Sequence, residues 1–174
     1  RRVRVVREVA VVAAGDTQRT AQLLARHGLT TPTTGLYEHN GTGKSVAMVE
    51  RLLRGDSVAL VSDAGTPTVS DPGSVLIRTA IEAGVRVEPV PGPSAVLTAL
   101  AASGLPTDAF AFIGFPPTRG KDRKNWFARL DANRGTVVFF EAPDPIHATL
   151  GEKARGMGDW RRGGVREATK THEK

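Results

Sequence analysis

Three short stretches of this chain carry residue types that could do chemistry. "NGTGKS" (40–45) ends in Gly-Lys-Ser, the tail of a phosphate-binding loop. "VSDAGTPTVSDPG" (61–73) and "PVPGPSA" (89–95) combine Asp, Ser and Thr with glycines and prolines. The first can be set aside by counting. A phosphate-binding loop requires G-x-x-x-x-G-K-[ST], and counting back from Gly43 places its first glycine at position 38, which is Glu38. A carboxylate there opposes the charge that a cradle of backbone N–H groups attracts. Gly41 and Gly43 are better read as a loop ahead of a helix, "SVAMVERLLR" (45–54), with Val46, Val49, Leu52 and Leu53 at helical spacing.

The other two stretches read as ligand loops. Each directly follows an apolar run, and the second opens a helix at Ser94. In open parallel sheets, ligands bind outside the carboxyl ends of the strands. Small residues there let backbone approach a ligand, and prolines hold the loop without entropy to lose. Neither loop contains an obvious nucleophile, and with no cysteine in the chain a thiolate metal site is excluded. Two tight strand–helix turns with ordinary caps would share this composition; two such loops ending strands of one sheet favour a site.

Around them, "SVALVS" (57–62), "VRVEPV" (85–90), "AFAFIGF" (109–115) and "TVVFF" (136–140) read as strands. Two are near-continuous in apolar residues, which predicts burial on both faces. Asp16 is positioned to cap a helix ending at Gly28, and Ser94 one ending at Gly104. Asp71-Pro72 predicts a third helix start, with Asp71 as N-cap, Pro72 in the first turn and Gly84 at the end. Strand–helix alternation at this spacing predicts an α/β fold with a mostly parallel sheet. "PPTRGKDRK" (116–124) marks the expected domain boundary, giving residues 1–117 and 118–174.

The 174 residues carry a net charge of +6, unevenly spread. Residues 1–118 hold eleven Lys/Arg against ten Asp/Glu, whereas residues 119–174 hold thirteen against eight. A basic half beside a neutral half points to a polyanionic partner, and "TRGKDRK" (118–124) would meet it, with Arg129, Arg134, Arg161 and Arg162 as secondary contacts. An exposed charged linker is the plainer reading of the same run. One tyrosine and two tryptophans supply little for a base-stacking platform. No apolar run approaches the roughly 20 residues of a membrane helix, nothing resembles a signal peptide, and the expected location is the cytoplasm.

The block from "LVSDAGTPTVSDPG" through "VEPVPGPSAVLTALAASGLPTDAFAFIGFPP" resembles the central region of the bacterial 16S rRNA (cytidine-2′-O)-methyltransferases of the tetrapyrrole methylase family. "VREVAVVAAGDTQRTAQLLARHG", "YEHN", "TVVFFEAP" and "REATKTHEK" resemble its flanks. The resemblance implies a two-domain αβα fold, usually a homodimer, that binds S-adenosylmethionine between the domains without metal. It implies that Ser62, Asp63, Ala64, Gly65, Thr66 and Pro67 form one wall of the cofactor pocket and Pro93, Ser94 and Ala95 another. Gly114 and Phe115 would close the adenosine end, and Glu141, Ala142, Pro143, Arg166, Glu167, Thr169 and Lys170 would come from the second domain. The substrate implied is 16S rRNA presented on the small ribosomal subunit, with Arg119, Lys121, Arg123, Lys124, Arg166 and Lys170 engaging RNA. For removing the ribose proton, Asp63 and Glu167 are the candidates; the plainer role for Asp63 is to accept backbone hydrogen bonds within its own loop.

Set beside that family, the chain starts after the opening strand and loop and stops soon after "REATKTHEK". The expectation is a first domain short of one strand and a partial second domain. Gly15 and Gln18 stand where the family has Glu and Arg, and "EAPDP" (141–145) replaces "E-S-P-H-R". Two further readings stand beside this one: the same fold admits a tetrapyrrole-ring methyltransferase, and these departures admit a catalytically impaired RNA-binding fragment.

Overall fold

The computed structural model describes residues 1–36, 41–143, 145–154 and 163–165. Among them the chain forms two compact units, residues 1–93 and 94–174. This packing groups the Ser94 helix and the strand near residue 110 with the second unit, whereas the division read from the sequence assigns them to the first.

In the first unit, α1 (Arg2–Glu8) leads into β1 (Val11–Ala14), α2 (Thr17–Arg26), β2 (Thr33–Gly35), α3 (Gly41–Leu53), β3 (Val58–Val61) and α4 (Ser74–Glu82). The three strands are parallel in the order β2-β1-β3. Ala13 of β1 lies opposite Thr34 on one side and Leu60 on the other. Every β1 residue is buried, because a central strand covered on both faces has no exposed side. Val11 and Ala13 pack with Leu36, Met48, Val49, Leu76 and Ala80, while Val12 packs with Leu24 and Leu29 on the opposite face. Alternation along one strand thus joins α3 and α4 to one sheet face and α2 to the other. Burying Leu24 or Leu76 contributes about 1.5–3 kcal/mol each.

Local sequence explains most boundaries. Asp16 caps α2 as expected, accepting from the backbone N–H groups of Gln18 and Arg19 at 3.0 Å each. Three expectations need correction. The strand at 57–62 is present as β3, but all four of its residues are only half-buried, since it lies at the sheet edge. Residues 85–90 pair with no strand; Arg86 and Glu88 form an ion pair at 2.9 Å, and the prolines at 89, 91 and 93 lack the N–H a ladder needs. The Asp71-Pro72 helix start lies later: α4 opens at Ser74, with Gly73 at φ +120° as its N-cap and no side chain capping it. Positive φ at Gly73 stops the helix from reaching back to Pro72 and leaves Asp71 in the loop.

The second unit contains α5 (Ala95–Ser103), β4 (Phe110–Phe112), α6 (Gly120–Ala132), β5 (Thr136–Val138) and α7 (Ile146–Ala154). Ser94 caps α5 by accepting from Leu97 N–H at 3.4 Å, and Gly104 ends it in the left-handed conformation at φ +63°. β4 and β5 are parallel, with α6 as their crossover. Trp126, 4% exposed, sits edge-on to Phe127 and Phe139 and donates from Nε1 to Ile113 O at 3.1 Å. Phe112 and Phe115 stack around Phe140 at 4.9 and 5.3 Å. These aromatic contacts give a two-stranded sheet the core it could not build alone.

Candidate functional site

Parallel strands send their carboxyl ends to one edge of a sheet, and the 61–73 loop emerges there, whereas the 89–95 segment follows no strand. In the first unit, Ser62–Gly73 leaves the end of β3. Ser62 Oγ donates to Ala64 O at 3.3 Å and Val69 N–H to Thr66 O at 3.3 Å, so the loop folds on itself. Thr68 and Ser70 hold positive φ of 71° and 59°, a conformation that costs a non-glycine residue roughly 1–3 kcal/mol. Gly65, at φ +75°, has open space where a side chain would stand. Pro72 lies close to Gly15 at the end of β1, where a Cβ on the glycine would be 3.6 Å from Pro72 Cγ.

Thr66 Oγ1 reaches Pro93 O at 3.5 Å, which brings the 61–73 loop against the 89–93 segment. Asp63, Ala64, Gly65 and Thr66 are exposed, whereas Ser62 and Pro67 are half-buried. Burial raises the Asp71 carboxyl above its ordinary value of 3.8, and the charge of Asp63 raises it further. The sequence assigned Asp71 to a helix cap, whereas the structure leaves it in the loop.

In the second unit the expected residues divide among several places. Ser94 and Ala95 sit at the N-terminus of α5, with the Ser94 side chain occupied as its cap. Gly114, at φ +67°, follows β4 and accepts from Phe140 N–H at 3.0 Å, and Phe115 is 54% exposed beside it. Glu141 follows β5 and is half-buried; Ala142 and Pro143 are exposed. Gly114 and Glu141 therefore occupy adjacent strand ends.

The basic run expected to meet RNA is not a linker but the start of α6. Arg119 is its N-cap residue, and Lys121 and Lys124 are exposed in its first turns, as are Arg129 and Arg134 further on. Arg123 is half-buried and turned inward, donating to Pro117 O at 2.9 Å and to Thr149 Oγ1 at 3.1 Å. Arg161, Arg162, Arg166, Glu167, Thr169 and Lys170 lie outside the described residues, as does Glu38. The Gly-Lys-Ser tripeptide falls within α3: Lys44 Nζ donates to Gly35 O at 3.0 Å, and Ser45 is 1% exposed with its hydroxyl unpartnered. Among the described residues, no group of three or more His, Asp or Glu is placed to hold a metal, and no helix is long and apolar enough to cross a membrane.

Fold and loops together define an α/β protein of two units, each with candidate ligand residues in loops that follow its parallel strands. The family of Tetrapyrrole (Corrin/Porphyrin) Methylases matches residues 1–174, and the chain belongs to it. It is similar to proteins named "Ribosomal RNA small subunit methyltransferase I". That of Vibrio cholerae is 44% identical over 170 residues, covering 97% of this chain and 59% of the relative. That of Mesorhizobium japonicum is 46% identical over 164 residues, covering 94% and 56%. That of Pseudomonas aeruginosa is 42% identical over 174 residues, covering 99% and 62%. The chain thus spans about three-fifths of the length of these curated relatives.

Proposed function

We propose that this chain is part of an S-adenosylmethionine-dependent methyltransferase acting on small-subunit rRNA, and that the group methylated is the 2′-hydroxyl of a cytidine in 16S rRNA. The observation that carries the reading is identity of 42–46% to rRNA small subunit methyltransferases along nearly the whole chain. The partners proposed are the small ribosomal subunit and a second copy of the chain, in the cytoplasm.

The carboxylate pair at the end of β3 fits such a cofactor. Burial and, to a lesser extent, the charge of Asp63 raise the Asp71 carboxyl, and a sulfonium cation would offset the second effect. The residues proposed to contact the cofactor are Ser62–Pro67, Pro93, Ser94, Ala95, Gly114, Phe115, Glu141, Pro143 and Thr169. When bound, S-adenosylmethionine supplies an electrophilic methyl group. The loop residues orient donor and acceptor in line, which can lower the barrier by roughly 7–11 kcal/mol in favourable cases. Thr68 and Ser70 sit at positive φ, a strain that the structure around the loop must hold. Asp63 and Glu167 are the candidate acceptors for the ribose proton.

The test is transfer of labelled methyl from S-adenosylmethionine to purified small ribosomal subunits, followed by nucleoside analysis. Label in 2′-O-methylcytidine is the expected result. Label in another nucleoside overturns the cytidine assignment. No label, beside an active relative, overturns the catalytic reading and leaves a chain that holds rRNA without methylating it.

A further inference from the structure

Arg123, Thr149 and Glu141 form a hydrogen-bonded relay from α6 through α7 to the end of β5. Arg123 Nη2 donates to Thr149 Oγ1 at 3.1 Å, and Thr149 Oγ1 donates to Glu141 Oε2 at 2.7 Å. Its direction is fixed by the groups themselves. A guanidinium only donates and an ionised carboxylate only accepts, so the threonine hydroxyl, with one proton, must point that proton at Glu141. Thr149 is 1% exposed, so water does not compete for either bond.

Both ends are anchored. Arg123 Nη1 donates to Pro117 O at 2.9 Å, and Arg123 Cζ lies 5.0 Å from the Phe127 ring centroid. Glu141 Oε1 accepts from Ala142 N–H at 2.9 Å. Among the described residues each carboxylate oxygen therefore receives one bond and keeps acceptor capacity for a ligand. A guanidinium fork paired directly with Glu141 would have used that capacity; the hydroxyl between them fixes orientation and leaves it available.

We propose that Arg123 and Thr149 are positioning residues, which preset the Glu141 carboxylate as an acceptor pair for a ligand bearing hydroxyl or amine donors, and that Arg123 is not a phosphate contact. The identity of that ligand as the nucleoside cofactor rests on the function proposed above.

The experiment compares wild type with Thr149→Val, Thr149→Ser and Arg123→Lys in two measurements. In nitrogen-15 arginine spectra, hindered rotation of the Arg123 guanidinium should give separate Nη–H resonances in wild type and Thr149→Ser, with faster exchange between them in Thr149→Val, where the bond to Pro117 O remains. Averaged resonances in wild type overturn the proposal. In calorimetric titration with S-adenosylmethionine, Thr149→Val and Arg123→Lys should each weaken binding about tenfold or more, the scale of one hydrogen bond to a charged group. Thr149→Ser, which restores the hydroxyl, should stay within about twofold of wild type. Arg123→Lys keeps the charge but loses the fork, so wild-type affinity in that variant overturns positioning, as does wild-type affinity in Thr149→Val. If wild type itself does not bind S-adenosylmethionine, the cofactor reading falls, and the spectra decide whether Thr149 holds Arg123.

Discussion

Replacing Gly73 by alanine tests whether the junction between the 61–73 loop and α4 is as tightly constrained as its geometry indicates. Gly73 has φ +120°, and a Cβ built on it would stand 2.6 Å from Leu60 Cδ2, 3.2 Å from Cδ1 and 3.4 Å from Cγ. Two costs add. A non-glycine residue held in a sparsely populated backbone region costs roughly 1–3 kcal/mol. Forcing a methyl against Leu60, which packs on the Val11, Ala13 and Leu76 cluster, costs about 1–3 kcal/mol as overpacking. Leu60 is half-buried and can turn partly aside, so about 3 kcal/mol is the expected sum. That is a large share of a stability of about 5–15 kcal/mol.

Gly65→Ala is the control, because Gly65 also has positive φ, at +75°, but nothing within 4 Å of the added atom. It should lose only the backbone part, about 1–2 kcal/mol. Urea unfolding followed by far-ultraviolet circular dichroism measures both. In a Leu60→Ala background the clash is gone, and the extra cost of Gly73→Ala should fall to the Gly65→Ala level. Equal costs for the two alanines in the wild-type background, or no relief from Leu60→Ala, would refute the reasoning.

Other outcomes follow from the same structure. Asp16→Ala removes the acceptor for two backbone N–H groups and should destabilise by about 1 kcal/mol in the same assay. Ser45→Ala removes a buried hydroxyl without a partner and should be neutral or stabilising by up to about 1 kcal/mol, seen as an unchanged or raised melting temperature. Because the folded-state pKa of Asp71 is raised, the native chain binds the proton more tightly, so stability declines as pH rises from 3.8 through the folded value. Asp71→Asn should therefore be more stable than wild type at neutral pH, with the difference vanishing below the ordinary carboxylate range. Alanine at exposed Arg119, Lys121 and Lys124 together should weaken binding to small ribosomal subunits and reduce the salt slope by about 2.

Features set by neighbouring residues were legible before any coordinates. Asp16 and Ser94 cap helices, and Gly104 ends one, because caps depend on a few consecutive residues. The central strand was not legible as such: Val11–Ala14 lies inside the longer apolar stretch "VAVVAA", where neither period is resolved. The Asp71-Pro72 signal was outweighed by positive φ at Gly73, which is tied to Leu60 thirteen positions earlier. Residues 85–90 have a strand's alternation, but pairing depends on a partner that local pattern cannot supply. The strand-end loops were readable as candidate ligand segments from composition, whereas the inward turn of Arg123 was not. Its acceptor, Thr149, lies 26 residues away on another helix.

Both tryptophans, Trp126 and Trp160, belong to residues 94–174, and the first unit has none. Trp126 lies enclosed between Phe127 and Phe139, so its emission will shift when that core opens. Tryptophan fluorescence therefore follows the second unit alone, whereas circular dichroism weighs the helices of both. The chain carries its own optical label for one half, and transitions that fail to coincide would separate the two unfolding events without any added dye.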